Sequence, residues 1–216
     1  MLRGTQVLLG DQAAEYYGLI DLLREQALKL DYLELVVPSI WDSKLFKDKL
    51  QGDTKEQMWV FQDNGGRDVC LIPEVTGIVQ DLYNASWSKE LAKPIKLFYT
   101  QRCYRYERPQ KGRLREFTQF GVEILGTINE ELEDECIELL LTCMDRYGVD
   151  YVMRANVKRG LGYYVEDGFE IECSQLGAQK QVAGGGKYKE GIGWAIGIER
   201  LLLAGRENDG NILNSG

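Results

Sequence analysis

Histidine is absent from all 216 residues. That excludes Ser-His and Cys-His nucleophile systems and every histidine metal ligand. Any chemistry must come from arginine, carboxylates, backbone groups and positioning. Cysteine is sparse: Cys70, Cys103, Cys136, Cys143 and Cys173 are odd in number, and no two have C-x-x-C spacing. A disulfide framework or a zinc site is therefore not expected, and no protein side chains are assigned to a metal. The chain opens without a signal peptide, and no apolar run is long enough to span a bilayer, so the expectation is a cytoplasmic protein with no membrane contact. Only 4 prolines are present, and no Pro/Gly/Ser-rich linker divides the chain, which we read as one domain. Basic charge is also short, with 26 Lys+Arg against 34 Asp+Glu, a net charge of -8. That is the wrong sign for a general nucleic-acid coat.

What is there is a mixture of helical and alternating patterns. Ala13, Tyr17, Ile20, Leu23, Ala27 and Leu30 recur at helical spacing, predicting a helix capped by Asp11 and running to about Leu30. Strands are predicted at 32–37, ending at Pro38, and at 58–61 and 69–72 around the turn Asp63-Asn64-Gly65-Gly66. A short helix follows from Thr76 to about Ala85. A strand from Lys96 to Tyr106, a polar loop over 108–115 and a strand from Phe117 to Leu125 come next. Glu131 to Arg146 reads as a helix with an acidic first turn and an apolar face at Leu132, Cys136, Leu139, Leu140 and Cys143. Further strands are predicted at 151–156, 169–173, 181–183 and 192–196, then a helix over 199–204 and a frayed tail over 206–216. Hairpin-length turns between mixed elements favour an α+β fold, an antiparallel sheet with helices packed on it.

The basic residues are concentrated. Between Gln101 and Glu116 stand Arg102, Arg105, Arg108, Lys111, Arg113 and Arg115, against Glu107 and Glu116 alone. A basic segment in an acidic protein suits a small polyanion such as a triphosphate, or the end of a nucleic acid. It equally suits a solvated charged loop. On a strand Arg105 and Glu107 share a face, where they either grip a phosphate and an amino group or form a cross-strand ion pair.

Longer strings narrow the choice. Tyr104-Arg105-Tyr106-Glu107-Arg108-Pro109 with Arg115-Glu116-Phe117-Thr118-Gln119 resembles motif 2 of the class II aminoacyl-tRNA synthetases, in wording that of the histidyl family. Lys158-Arg159-Gly160-Leu161-Gly162-Tyr163-Tyr164 resembles that family's histidine-specific motif. Leu176-Gly177-Ala178-Gln179 with Ala183-Gly184-Gly185-Gly186-Lys187-Tyr188 resembles its glycine-rich strand, and Gly193 to Leu201 resembles motif 3. The ordered resemblance runs from about residue 3 to 205, which the tail 206–216 follows. It implies that Arg105 and Arg159 meet the α-phosphate of ATP, that Arg200 meets the γ-phosphate, and that Glu107 sits near the adenine amino group. It adds Arg113, Phe117 and Gly197 to the ATP site. For the amino acid it implies Glu74 and Thr76 at the α-amino group, Gln119 at the polar end, and Glu123 and Tyr164 at the imidazole, with Tyr163 and Gly185 alongside. The substrates would be histidine and ATP with Mg²⁺, the product histidyl-adenylate, and the acceptor the tRNA end or another molecule. A homodimer through the first helix and the strand before Pro38 is implied too. A histidine-binding module like the regulatory subunit of ATP phosphoribosyltransferase shares the fold and is the alternative.

Four positions depart from the family pattern: Ile72 for arginine, Gly162 and Lys189 for aspartate, and Thr118 for histidine. The first three remove charges expected near the site. The span from Arg105 to Arg159 is too short for the family's inserted domain, and no anticodon-binding domain is expected after motif 3.

Overall fold

A computed structural model describes residues 1–158, 162–177 and 180–213. The opening helix α1 spans Asp11–Lys29, then come β1 (Leu33–Glu34), β2 (Ile40–Asp42), α2 (Ser43–Lys49), α3 (Gly52–Glu56), β3 (Trp59–Gln62) and β4 (Asp68–Leu71). Helix α4 (Thr76–Leu82) passes through a π turn into the short α5 (Ser88–Glu90). The rest is β5 (Ile95–Tyr104), β6 (Glu116–Leu125), α6 (Glu130–Tyr147), β7 (Val152–Val157), β8 (Gly168–Glu172), β9 (Gln181–Tyr188), β10 (Gly191–Gly197) and α7 (Ile198–Leu213).

Among the described residues seven strands form one sheet in the order β1-β5-β6-β10-β9-β8-β7, and β2-β4-β3 form a second, smaller one. Only β1 runs parallel to its neighbour; all the other pairings are antiparallel. The fold is α+β, as expected. Alternation along β6 decides what each face does. Phe120, Val122 and Ile124 point one way, into a core shared with Leu23 of α1, Leu140 of α6 and Leu201 of α7. Gln119, Gly121 and Glu123 point the other way. There a second core joins Phe46 of α2, Ile72, Ile78 of α4, Leu97 and Tyr99. The large sheet thus has helices on one face and the small sheet with α2 and α4 beside the other, leaving a cleft.

Several local expectations are corrected. Asp11 is the first helical residue and not the cap; Gly10 takes that place with φ 59 and no side-chain bond. Only Leu33–Glu34 of the predicted strand 32–37 pairs. Strand β5 stops at Tyr104, so Arg105 and Glu107 lie beyond the ladder. Helical backbone continues to Leu213, past the expected stop at Ala204 and through most of the predicted frayed tail. Among the described residues no helix is long and apolar enough to cross a membrane.

Candidate functional site

The cleft holds a cavity of about 280 Å³. Its floor is β6 and β10, whose glycines make space for large neighbours packed behind the cavity: an added Cβ at Gly121 would stand 2.2 Å from the Tyr99 ring, and one at Gly193 would stand 1.9 Å from the Glu123 carboxylate. Each glycine is the direct cross-strand partner of the residue that fills its space: Gly121 pairs Tyr99, and Gly193 pairs Glu123.

At one end are the arginines. Arg105 donates from Nε to the Pro73 carbonyl at 3.1 Å and lies 5.1 Å from the Phe117 ring centre. The expected polar loop folds into a tight turn, with Gln110 and Arg113 exchanging backbone bonds at 3.2 and 2.9 Å. That turn brings Arg113 within 3.5 Å of Glu107. Arg200, in the first turn of α7, donates to the carbonyls of Gln181 at 2.5 Å and Gly112 at 3.3 Å. Its guanidinium pKa is lowered by burial and by the neighbouring Arg113 charge. Arg105, Glu107, Arg113, Phe117, Gly197 and Arg200 all line the cavity. Arg159 lies outside the described residues.

At the other end the groups are mostly carboxylates and hydroxyls. Glu74 is buried, accepts from the Gly77 amide at 3.0 and 3.1 Å, and accepts from the Tyr163 hydroxyl at 3.3 Å. Burial raises its pKa, which the Gly77 amide and Arg105 oppose. Thr76, Gln119, Tyr163 and Tyr164 also line the cavity, the two tyrosine rings 4.8 Å apart. Glu123 does not reach the cavity wall. It is fully buried and accepts from Thr76 Oγ1 at 2.6 Å, Tyr188 Oη at 2.6 Å and Tyr99 Oη at 3.3 Å. Burial pushes its carboxyl up to about 8 against the pull of those hydroxyls. Gly184, rather than Gly185, lines the cavity. The missing side chain of Gly185 faces Trp194 and Phe169 on the helix side.

The four departures sit differently from one another. Ile72 is fully buried in the second core, and Lys189 is exposed in the turn between β9 and β10. At Gly162 an added Cβ would meet Gln51 Nε2 at 2.6 Å. Thr118 bonds Tyr16 across 2.7 Å. Glu170, Gln181, Glu199 and Thr54 line the cavity without having been expected. Alternation offered a signal for Glu170: Phe169 and Ile171 on either side are buried, so Glu170 faces the cleft.

The sequence profile of the tRNA synthetase class II core domain (G, H, P, S and T) matches residues 58–191. The histidine--tRNA ligase of Methanosphaerula palustris is 37% identical across 94% of this chain and 74% of its own length. The chain belongs to the histidyl-tRNA synthetase-like class II family. Among solved structures, apo histidyl-tRNA synthetase of S. aureus superposes with a TM-score of 0.80 at 25% identity, over 97% of this chain and 70% of that one. A Bacillus halodurans protein described as an ATP phosphoribosyltransferase regulatory subunit/histidyl-tRNA synthetase also gives 0.80, at 15% identity over 94% of this chain and 82% of that one, a likeness of fold. The match to the M. palustris ligase extends over 304 residues, more than the 216 of this chain, so that relative carries internal sequence with no counterpart here.

Proposed function

We propose that this chain activates histidine with ATP, giving histidyl-adenylate and pyrophosphate, with the tRNA acceptor end as the candidate acceptor. One observation carries the reading: a single cavity collects Arg105, Arg113 and Arg200 beside Glu74, Thr76, Gln119 and the Tyr163–Tyr164 pair. Guanidinium forks match a triphosphate, and buried carboxylate and hydroxyl groups match an α-amino group and a polar side chain.

In this scheme an oxygen of the histidine carboxylate attacks the α-phosphorus. The bond from that phosphorus to the bridging oxygen breaks, and pyrophosphate leaves. Arg105, with Arg159 by resemblance, holds the α-phosphate, and Arg200 holds the departing end. No side-chain nucleophile or histidine is needed. Among the described residues no group of three or more acidic or thiol side chains gathers to hold a metal ion. Mg²⁺ would arrive bound to the ATP phosphates. Glu74 and Thr76 face the α-amino group. Glu123, which does not reach the cavity, acts on the imidazole only by way of the Thr76 hydroxyl it holds, and Tyr164 supplies the direct polar contact.

Amino-acid-dependent ATP–pyrophosphate exchange, run over all twenty amino acids, tests this. Exchange with histidine alone supports it. Histidine binding without exchange would instead favour a non-catalytic histidine-binding module, and exchange with another amino acid would remove the roles given to Glu123 and Tyr164.

A further inference from the structure

The ladder between β6 and β10 ends at the pair Gln119 and Gly197, because the chain turns into α7 at Ile198. The next amide along β6, that of Thr118, is left without a strand partner there, and a buried N–H without an acceptor is costly. Glu199 supplies the acceptor. Both of its carboxylate oxygens take the Thr118 amide, at 3.0 and 2.8 Å. The Thr118 hydroxyl meanwhile faces Tyr16 of α1. Side chain thus replaces strand at the point where sheet becomes helix.

The residues adjoining this clamp are Gln119 on β6 and Arg200 on α7, and both line the cleft. Arg200 leaves the same helical turn as Glu199 and extends to Gln181 and Gly112 on the far wall. Behind the carboxylate lies a second cavity of about 290 Å³, bordered by Tyr16, Tyr17, Arg102 and Glu116. Glu199 therefore stands in a wall between two open spaces, with its carboxylate tied to the Thr118 amide.

The geometry points to Glu199 as a positioning residue: by clamping the Thr118 amide it fixes the first turn of α7 and so aims Arg200 into the cleft. This rests on the reading that Arg200 meets ATP phosphate. The experiment compares Glu199→Ala and Glu199→Gln in the full chain. ATP and histidine are titrated separately in the exchange assay, and amide hydrogen exchange is followed at Thr118. The alanine variant is expected to lose about 10- to 100-fold in kcat/KM for ATP, the scale of a misaimed catalytic group. Its KM for histidine should stay near that of the parent, and Thr118 should exchange faster. Glutamine keeps an acceptor oxygen and should restore most of both. An unchanged kcat/KM for ATP in the alanine variant, or an equal rise in both KM values, overturns the assignment. If the parent chain shows no exchange with any amino acid, the functional reading fails and calorimetric ATP affinity replaces the assay. Affinity lost in the alanine variant and regained with glutamine still supports the clamp, and affinity unaltered in both removes it.

Discussion

Glu123 is a fully buried carboxyl group with three hydroxyls around it, and burial holds its pKa at about 8 against an ordinary 4.5. The folded group binds its proton more tightly than the unfolded one. The stability linked to that proton is complete below about 4.5 and is lost as pH rises toward about 8. Glu123→Gln cannot ionise, so the melting temperature of the variant relative to the parent should climb across that window. A constant difference would show that the carboxyl titrates normally. The arginines lead to a second expectation: Arg105→Ala and Arg200→Ala should each slow pyrophosphate exchange about 10²-fold or more, as loss of a charge-stabilising donor does, while the melting temperature moves little. At this scale the sequence was legible wherever chemistry is carried by a string of neighbours, as from Tyr104 to Gln119. It was less so for Glu170, Gln181 and Glu199, which reach the cavity through pairing and chain reversal, and for Gly185, whose facing depends on register.

The elements show the same division. Helix α6 was readable to within a residue at each end because its signals are local. Asn129 accepts from the Leu132 amide at 3.0 Å, the first turn is acidic, and Gly148 closes it in the left-handed conformation at φ 80. Asn129→Ala should cost about 1 kcal/mol in chemical denaturation. The run from Tyr32 to Val37 looked like a full strand but pairs over two residues. It lies at the sheet edge, where the Leu35 amide makes the last bond to β5, at the Phe98 carbonyl, and the chain then leaves the strand with Val36 86% exposed. The strand ends short of Tyr106 for a tertiary reason: the Arg105 amide still bonds Arg115 opposite it, but the following amide turns away to Gln57. The glycines of the floor are the sharper test. Gly121→Ala must displace the Tyr99 ring or part β5 from β6, and should cost roughly 1–3 kcal/mol. Retention of full stability would mean that the ring has another place to go.

For the whole molecule, the exposed apolar residues Leu28, Leu33 and Val36 on and after α1 lie together in sequence beside the short edge strand β1. Sedimentation of the chain should give twice its monomer mass, and Leu33→Glu should return it to a monomer. A parent chain that sediments as a monomer at micromolar concentration would count against the dimer. The link from α6 to β7 is four residues, Gly148 to Tyr151. The paired volumes of the cleft floor bear on how such a molecule can diverge. Gly121 can grow only if Tyr99 shrinks, whereas Gly193 is closed twice over, by the Glu123 carboxylate and by the Val122 carbonyl 2.6 Å from an added Cβ. In a saturation library Gly121 and Tyr99 should therefore behave as a linked couple, in which single enlargements are lost and compensated doubles survive, while Gly193 should admit no larger residue even beside a shortened Glu123. Drift across the floor would then proceed by coordinated exchange of bulk between adjoining strands and not one site at a time.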